Sequence, residues 1–245
     1  MNNFLPRLHS AYAAITFFMT FLVIFPFMLI CIWIPGWEKY GRKINQYWAK
    51  IFFTLIFIPL KIEIRGNFKK NKPHIFLANH FSYLDVAMMG FVPGDVLFIG
   101  KASIRKVPLF GYYFKKLHIA VDRDRLRSRA ETMRRAGEAL ERGSGIVLFP
   151  EGGIYTKSPP KMIPFKNGAF RLAMEKQIPI IPVTLSFNHL ILPDDSRLLL
   201  HRRSAKMVLH EALNPKDFET DDQLKDACFT TIQNQLDLDN QRSKH

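Results

Sequence analysis

The feature that most constrains this sequence is a run of 25 residues without a charged side chain, from Ala11 to Pro35. As a helix, the run extends roughly 37 Å at about 1.5 Å per residue, which is enough to cross or deeply enter a bilayer. A cleaved signal peptide is the alternative, but its apolar part is shorter and ends in small residues, whereas this run ends in Trp33–Trp37. We therefore predict a retained membrane helix, kinked at Pro26, whose ring removes one backbone hydrogen bond.

The segment that follows, from Trp37 to Ile56, has apolar and aromatic residues at helical spacing, with cations and amides on its other face. Trp and Tyr favour the depth of lipid headgroups, and Lys and Arg are attracted to anionic lipid. We predict that residues 1–58 form a two-helix membrane anchor and residues 59–245 a single globular domain. A core-packing amphipathic helix is the alternative for the second helix, and whether the first helix spans the bilayer or returns stays open.

The net charge indicates the class of binding partner, and the cysteine count indicates the cellular compartment of the globular part. Lys and Arg outnumber Asp and Glu by 35 to 21, a formal charge of +14, which favours lipid headgroups, nucleic acid or an acidic carrier protein. The two cysteines, Cys31 and Cys228, cannot supply a disulfide framework or a zinc ligand set, and small buried residues are the expectation for both. We therefore predict a globular part on the cytoplasmic side of the membrane.

After Pro59 the sequence alternates between short β-rich runs and helical runs. The predicted strands are Lys61–Arg65, Ile75–Ala78, Val96–Ile99, His118–Val121, Ile146–Phe149, Ile180–Thr184 and Lys206–His210. The predicted helices are Leu84–Phe91, Ile104–Lys116, Arg125–Glu141, Ala169–Lys176 and Asp221–Leu238. This alternation predicts an α/β fold with a mostly parallel sheet flanked by helices, and active sites in such folds lie where loops leave the strand ends.

A histidine and an aspartate, His80 and Asp85, follow the strand Ile75–Ala78 and lie five residues apart. A turn can bring them together, so that the carboxylate binds one ring nitrogen and leaves the other to accept a proton. Acyl transfer to an alcohol requires such a base, because the hydroxyl loses its proton as it attacks the thioester carbonyl. Taken alone the signal is weak, because a single His and Asp near a turn are more often a helix cap with a surface imidazole.

These residues and three further blocks resemble the glycerolipid acyltransferase superfamily. Asn79-His80 with Asp85 is similar to its catalytic block, and the other blocks follow in the family's order between about Leu60 and Thr184. They are Val121-Asp122-Arg123, Phe149-Pro150-Glu151-Gly152 and Ile180-Ile181-Pro182-Val183, with Phe165-Lys166-Asn167-Gly168-Ala169 before the last.

The resemblance implies a role for each matching residue. His80 and Asp85 are the catalytic pair, and Arg123 inherits the binding of the acceptor's phosphate. The remaining predicted substrate-binding residues are Asn79, Ser82, Lys101, Glu151, Gly152 and Lys166. The implied reaction moves a fatty acyl group from acyl carrier protein or coenzyme A to lysophosphatidic acid, forming phosphatidic acid, with no metal or bound cofactor.

One departure from the family pattern leaves the acceptor open. Many members follow the third block with a small hydroxyl residue and arginine, where this chain has Gly153 and Ile154. A lyso-aminolipid, such as an ornithine or glycine lipid, is therefore the alternative acceptor. The other explanation is that Lys157, Lys161 or Lys166 supplies the positive charge of the arginine that this chain lacks.

Two other classes of protein compete with an enzyme. A basic, membrane-attached nucleic-acid binder would use the arginines between Arg123 and Arg142, but aromatic stacking residues are lacking among them, so we predict no nucleic-acid partner. These arginines are equally well explained as a solvated helix face or as a patch for the membrane or an acidic acyl carrier protein. An inactive lipid-binding scaffold can be excluded only by activity.

Overall fold

A seven-stranded sheet forms the centre of the computed structural model, which describes residues 4–69, 72–122, 124–195 and 197–242. The strands are β1 Leu60–Ile64, β2 Ile75–Ala78, β3 Val96–Lys101, β4 Ile119–Val121, β5 Gly145–Leu148, β6 Ile180–Ser186 and β7 Ala205–Leu209. The α-helices are α1 Phe4–Trp33, α2 Glu38–Leu55, α3 Leu84–Met88, α4 Phe110–Leu117, α5 Leu126–Glu141, α6 Gly168–Lys176, α7 Asn188–Ile191 and α8 Asp221–Arg242. Short 3-10 helices cover Met89–Phe91, Ala102–Lys106 and Pro215–Asp217.

The sheet is mixed but mostly parallel, in the order β1-β7-β6-β2-β5-β3-β4. The five strands from β6 to β4 in this order run parallel to one another. β7 is antiparallel to β6, and β1 is parallel to β7. The predicted fold class is confirmed, and the carboxyl ends of the five parallel strands meet at one edge of the sheet, where the predicted catalytic block lies.

The residues of the central strands alternate between two hydrophobic clusters, because successive side chains of a strand point to opposite faces. Phe76 and Ala78 of β2 pack into the cluster formed with α1 to α4. Ile75 and Leu77 pack into the cluster formed with α5, α6 and α8, which also contains Cys228. The sheet is therefore covered on both faces, as expected of buried parallel strands.

Helix α1 has a buried face and a long exposed apolar face. Phe21 and Met28 are buried, whereas Val23 and Phe27 are 65% and 59% exposed. In the described part of the chain, α1 is the one helix long and apolar enough to cross a membrane. The helix continues through Pro26 without a break. An exposed apolar face of this size is the kind of surface that contacts lipid or protein.

Helix α2 packs against both α1 and the globular part. Its Trp48 and Phe53 are buried in the first cluster, and the Trp48 Nε1–H donates to Thr20 Oγ1 of α1 at 2.8 Å. The opposite side keeps Tyr47 and Ile51 about half exposed. The two predicted helices are therefore present and share a core with the sheet, while their role as a membrane anchor and the division at residues 58 and 59 stay predictions.

The structure departs from the predicted helices at two places. The predicted helix Ile104–Lys116 is broken, because Pro108 has no N–H to donate and Leu109 takes a left-handed φ of 59°. Gly111 then lets α4 begin close to the earlier turn, since a Cβ there would lie 2.4 Å from the Arg105 carbonyl oxygen. The second departure is α7, a four-residue helix directly after β6 that was not predicted.

Candidate active site

His80 lies in the turn between β2 and α3, and Asp85 lies in the first turn of α3. The structure brings their side chains together. The His80 Nδ1 is 3.0 Å from Asp85 Oδ2. The same carboxylate oxygen accepts the backbone N–H groups of Phe81 at 2.7 Å and Ser82 at 2.8 Å. Because Asp85 accepts, Nδ1 carries the proton, and Nε2 of a neutral ring is left as a proton acceptor.

The His80 ring is also held by an aromatic neighbour. Phe149 follows β5, the strand beside β2, and its ring stacks on the imidazole with 4.0 Å between centroids and 16° between planes. The His80 side chain keeps 12% of its surface exposed, whereas that of Asp85 is fully buried. The imidazole is therefore fixed in orientation while remaining open on one side.

Glu151 lies next to residues 79–85, the catalytic turn that carries His80 and Asp85, and it is only 1% exposed. Its Oε1 accepts the backbone N–H of His80 at 2.7 Å, and its Oε2 accepts that of Ile163 at 3.3 Å. Burial raises the pKa of Glu151 to about 7, although the two N–H donors act in the opposite direction. The structure therefore shows Glu151 as a buried carboxylate that supports His80, while its role in substrate binding stays a prediction.

Gly152 and Lys166 lie against each other. Gly152 has a φ of +85°, and a Cβ on it would lie 2.6 Å from Lys166 Nζ. Only a residue without a side chain allows the lysine to cross there. The Lys166 N–H also donates to the Pro150 carbonyl at 2.9 Å, so the third block and the segment that begins at Phe165 form one surface.

Asn79 and Ser82 form internal hydrogen bonds between segments of the chain, and their role as substrate contacts stays a prediction. Both are fully buried. The Asn79 side chain donates to the Leu185 carbonyl at 3.0 Å and accepts the Leu185 N–H at 2.8 Å. The Ser82 hydroxyl donates to the Leu192 carbonyl at 2.7 Å and accepts the Leu84 N–H at 3.1 Å. These hydrogen bonds fasten the turn that carries His80 to the segment from Leu185 to Leu192.

Of the two cations predicted to bind the acceptor, the structure describes Lys101. Lys101 is exposed at the end of β3, where it pairs in register with Val121 of β4. Arg123 lies outside the described residues. Nearby, Arg125 forms an exposed ion pair with Asp122 at 3.4 Å. The roles of Lys101 and Arg123 stay predictions.

Sequence reasoning missed Asn188, which begins α7. It is 1% exposed, and its Nδ2 donates to Asp85 Oδ1 at 2.7 Å. Beside it, the ring of His189 lies edge-on to Phe81 with 5.9 Å between centroids. The only signal in the sequence was a polar residue just after a strand whose carboxyl end lies beside that of β2.

Two apolar cavities open beside the catalytic turn. One, of roughly 340 Å³, lies between α1, α2, α3 and α4, and the other, of roughly 310 Å³, lies between α1, α3 and the segment around Leu198. The two cavities share Phe17, Phe52, Tyr83 and Ala87 as lining residues. Tyr83, which lies between His80 and Asp85 in the chain, therefore forms part of the wall of both cavities.

The chain is similar in sequence to curated acyltransferases. A 1-acyl-sn-glycerol-3-phosphate acyltransferase of Chlamydomonas reinhardtii is 30% identical over 226 residues, 89% of this chain and 64% of that protein. A lyso-ornithine lipid O-acyltransferase of Rhizobium meliloti is 26% identical over 156 residues, 63% of this chain and 51% of that protein. The chain thus spans about half to two thirds of the length of these curated relatives.

The fold matches a crystal structure of the 1-acyl-sn-glycerophosphate acyltransferase PlsC from Thermotoga maritima. The TM-score is 0.77 at 24% identity, covering 95% of this chain and 96% of that one. The sequence model of the family described as Acyltransferase matches residues 60–186, which contain β1 to β6, the pair His80 and Asp85, and Glu151. As this match covers just over half of its length, the chain belongs to the acyltransferase family.

Proposed function

We propose that this protein transfers a fatty acyl group from acyl carrier protein or coenzyme A to the free hydroxyl of 1-acylglycerol-3-phosphate, forming phosphatidic acid. The observation that carries the proposal is the pair His80 and Asp85, with 3.0 Å between Nδ1 and Oδ2 and the ring open on one side. A buried carboxylate that orients an imidazole is the arrangement a general base requires.

In the proposed reaction His80 acts on the acceptor and no acyl-enzyme forms. The His80 Nε2 takes the proton of the acceptor hydroxyl while the hydroxyl oxygen attacks the thioester carbonyl. The new ester C–O bond forms, the C–S bond breaks, and the departing thiolate regains a proton. Asp85 stabilises the imidazolium that forms in between. The reaction needs no metal or bound cofactor.

The apolar cavities suit the hydrocarbon parts of the two substrates. Each is lined mainly by aliphatic and aromatic side chains of α1, α2 and α3, including Phe17 and Phe52. Acyl chains gain free energy when they leave water for such surroundings. The cavities share a wall at Tyr83 and Ala87, so the hydrocarbon chains of the two substrates would lie on either side of this wall.

The acceptor phosphate would be held by cations at the carboxyl edge of the sheet. Lys166 lies over Gly152, and Lys101 ends β3 on the same edge. Arg123 is the residue that the family resemblance favours for a bidentate phosphate contact. Positioning of the hydroxyl by these groups would account for much of the rate gain.

The exposed apolar face of α1 favours attachment to a membrane, and we propose the cytoplasmic face of the cell membrane as the location. The lysophosphatidic acid acceptor and the phosphatidic acid product both reside in the bilayer. Lys39, Lys43 and Lys50 of α2 are exposed and suit anionic headgroups.

A lyso-ornithine lipid or another lyso-aminolipid is the second candidate acceptor. Gly153 and Ile154 stand where many family members have a small hydroxyl residue and an arginine. The similarity to a Rhizobium meliloti lyso-ornithine lipid O-acyltransferase also favours it.

A single assay separates these candidates. The purified full chain in detergent micelles is given a labelled acyl donor, either acyl carrier protein or coenzyme A thioester, with lysophosphatidic acid, lyso-ornithine lipid or lysophosphatidylcholine. Labelled phosphatidic acid as the main product supports the proposal. Selective acylation of the ornithine lipid supports the alternative, and no product with any acceptor contradicts both.

A further inference from the structure

The second carboxylate oxygen of Asp85 has its own buried partner. Oδ2 accepts His80 and two backbone N–H groups, while Oδ1 accepts the Asn188 side-chain N–H at 2.7 Å. Asp85 and Asn188 are 0% and 1% exposed. Both oxygens of the Asp85 carboxylate are therefore held by hydrogen bonds. Asn188 donates the bond to Oδ1, the oxygen that does not contact the imidazole.

The fold holds Asn188 in place through the strand next to β2. Phe187 takes a left-handed φ of 73°, which turns the chain out of β6 so that α7 begins at Asn188. Before this turn, Leu185 is bonded twice to the Asn79 side chain. After it, the Leu192 carbonyl accepts the Ser82 hydroxyl. The segment 185–192 is thus fastened to the catalytic turn on both sides of Asn188.

A neutral donor suits this position better than a charged one. Three titratable groups surround Asp85, namely His80 on its own turn, Glu151 after β5 and His189 on α7. Among the described residues, no group donates a hydrogen bond to the Asn188 Oδ1. A carboxylate side chain in place of Asn188 would therefore have no donor to stabilise its charge and would repel Asp85. A carboxamide donates its N–H and leaves the negative charge on Asp85.

We propose that Asn188 is a positioning residue for acyl transfer: its side-chain N–H holds Asp85 so that Oδ2 faces His80 Nδ1. This inference rests on the proposed function, since it assigns Asn188 to the base that activates the acceptor hydroxyl. Asn188 acts through Asp85 and touches neither substrate. Its removal therefore lowers kcat and leaves the apparent KM of both substrates nearly unchanged.

Two variants of Asn188 test the donor specifically. N188L keeps the approximate volume and removes the donor, so kcat falls by about ten- to a hundredfold, as expected for a hydrogen bond to a buried charge. N188D places a second carboxyl group beside Asp85, and one of the two groups keeps its proton because two adjacent carboxylates resist ionising together. The protonated form donates as Asn188 does, so N188D is more active than N188L at low pH and loses activity relative to wild type as pH rises.

The matched control is S186A. The Ser186 hydroxyl donates to a buried carboxylate, Asp239, at the same 2.7 Å and from the same strand end, but towards α8. S186A removes an equally buried bond and lowers the melting temperature. It leaves kcat within about threefold of wild type and the pH profile unchanged.

A measurement without substrate separates this inference from the proposed function. The Nδ1 proton of His80 bonded to Asp85 gives a downfield proton NMR signal, assigned by its absence in H80A. N188L shifts this signal upfield and speeds its exchange with water, N188D restores it at low pH, and S186A leaves it in place. If wild type acylates no lipid but the signal responds in this way, the proposed function fails and the positioning role stands. If N188L keeps both the signal and wild-type kcat, or if N188D and N188L are equally impaired at every pH, the positioning role is overturned.

Discussion

The Glu151 carboxylate accepts the backbone N–H of His80 at 2.7 Å, which joins the turn after β5 to the turn after β2 through a buried contact. A carboxylate in this place is costly when charged, because it is 1% exposed and lies near the charge of Asp85. The contact therefore supports the catalytic turn and makes the stability of the protein depend on pH.

We expect the E151Q variant to have a flatter dependence of stability on pH. The pKa of Glu151 rises from its ordinary 4.5 to about 7 on folding, so between these pH values the unfolded chain releases a proton that the folded chain keeps. The free energy of unfolding contributed by this group therefore falls as pH rises from about 4.5 to 7, by roughly 3 kcal/mol, and stays low above pH 7. Gln removes the titration but keeps an oxygen for the His80 N–H.

Urea unfolding of wild type and E151Q at several pH values measures this difference, since other groups titrate equally in both proteins. The control is E175Q at an exposed carboxylate of α6, which should follow wild type. Parallel stability curves for wild type and E151Q would contradict a raised pKa at Glu151.

The catalytic pair gives the second prediction. H80A should lower the rate of acyl transfer by about a hundredfold or more, because the acceptor hydroxyl loses its base. D85N removes the charge that orients the ring and stabilises its protonated form, and it should also lower the rate strongly. Circular dichroism and vesicle binding should match wild type for H80A, whose ring keeps some exposure. Wild-type turnover in either variant would remove that residue from the site.

The parts of the fold that were predicted from sequence are the strands and helices whose formation depends on residues close together in the chain. All seven strands were predicted to within about two residues, because runs such as Ile75–Ala78 and Gly145–Leu148 are fully buried and bounded by turn residues. The predicted helix at Arg125–Glu141 was confirmed because its apolar stripe has the helical period. Pro108 gave a usable signal for the break before α4 that the prediction did not use.

The parts that were not predicted depend on which strands lie side by side. Phe149 stacks on His80 and Glu151 bonds to its N–H only because β5 is next to β2, and these pairs are about 70 residues apart. Asn188 meets Asp85 because β6 lies on the other side of β2. A strand order of this kind is set by the packing of the whole chain, so local patterns carry no signal for it.

The exposed face of α1 gives the third prediction. V23K and F27K place a lysine at positions that are 65% and 59% exposed, so the fold should tolerate both. Each should weaken binding to vesicles of zwitterionic phosphatidylcholine by about tenfold or more, since a lysine in the apolar part of a bilayer is unfavourable. Flotation of the full chain with vesicles measures this. The control L126K, at a 74% exposed leucine of α5, should bind as wild type does, and equal binding by all three variants would argue against α1 as the anchor.

The cavity between α1 and α4 gives the fourth prediction. Val86 of α3 lines this cavity but not the one beside Leu198. V86W should fill part of the 340 Å³ and shift preference towards shorter acyl chains, because the longer chains lose their apolar contacts. Competition between donors or acceptors of different chain length measures the shift. V107W, at a similarly exposed valine that lines neither cavity, should leave the preference unchanged.

The acceptor headgroup gives the last prediction, which concerns Arg123. If the acceptor is lysophosphatidic acid, R123A should raise its apparent KM more than that of the acyl donor, because a charge-assisted bidentate contact contributes roughly 1.5 to 3 kcal/mol, or about ten- to a hundredfold. R123K should recover only part of this, since an ammonium group cannot form the two parallel bonds. The matched control is R125A, which removes an exposed arginine paired with Asp122 and should change neither KM by more than about threefold. A lyso-ornithine acceptor would show little selective defect in R123A. An unchanged KM with confirmed lysophosphatidic acid activity would move the phosphate contact to Lys101 or Lys166, and K101A or K166A would then show the selective defect.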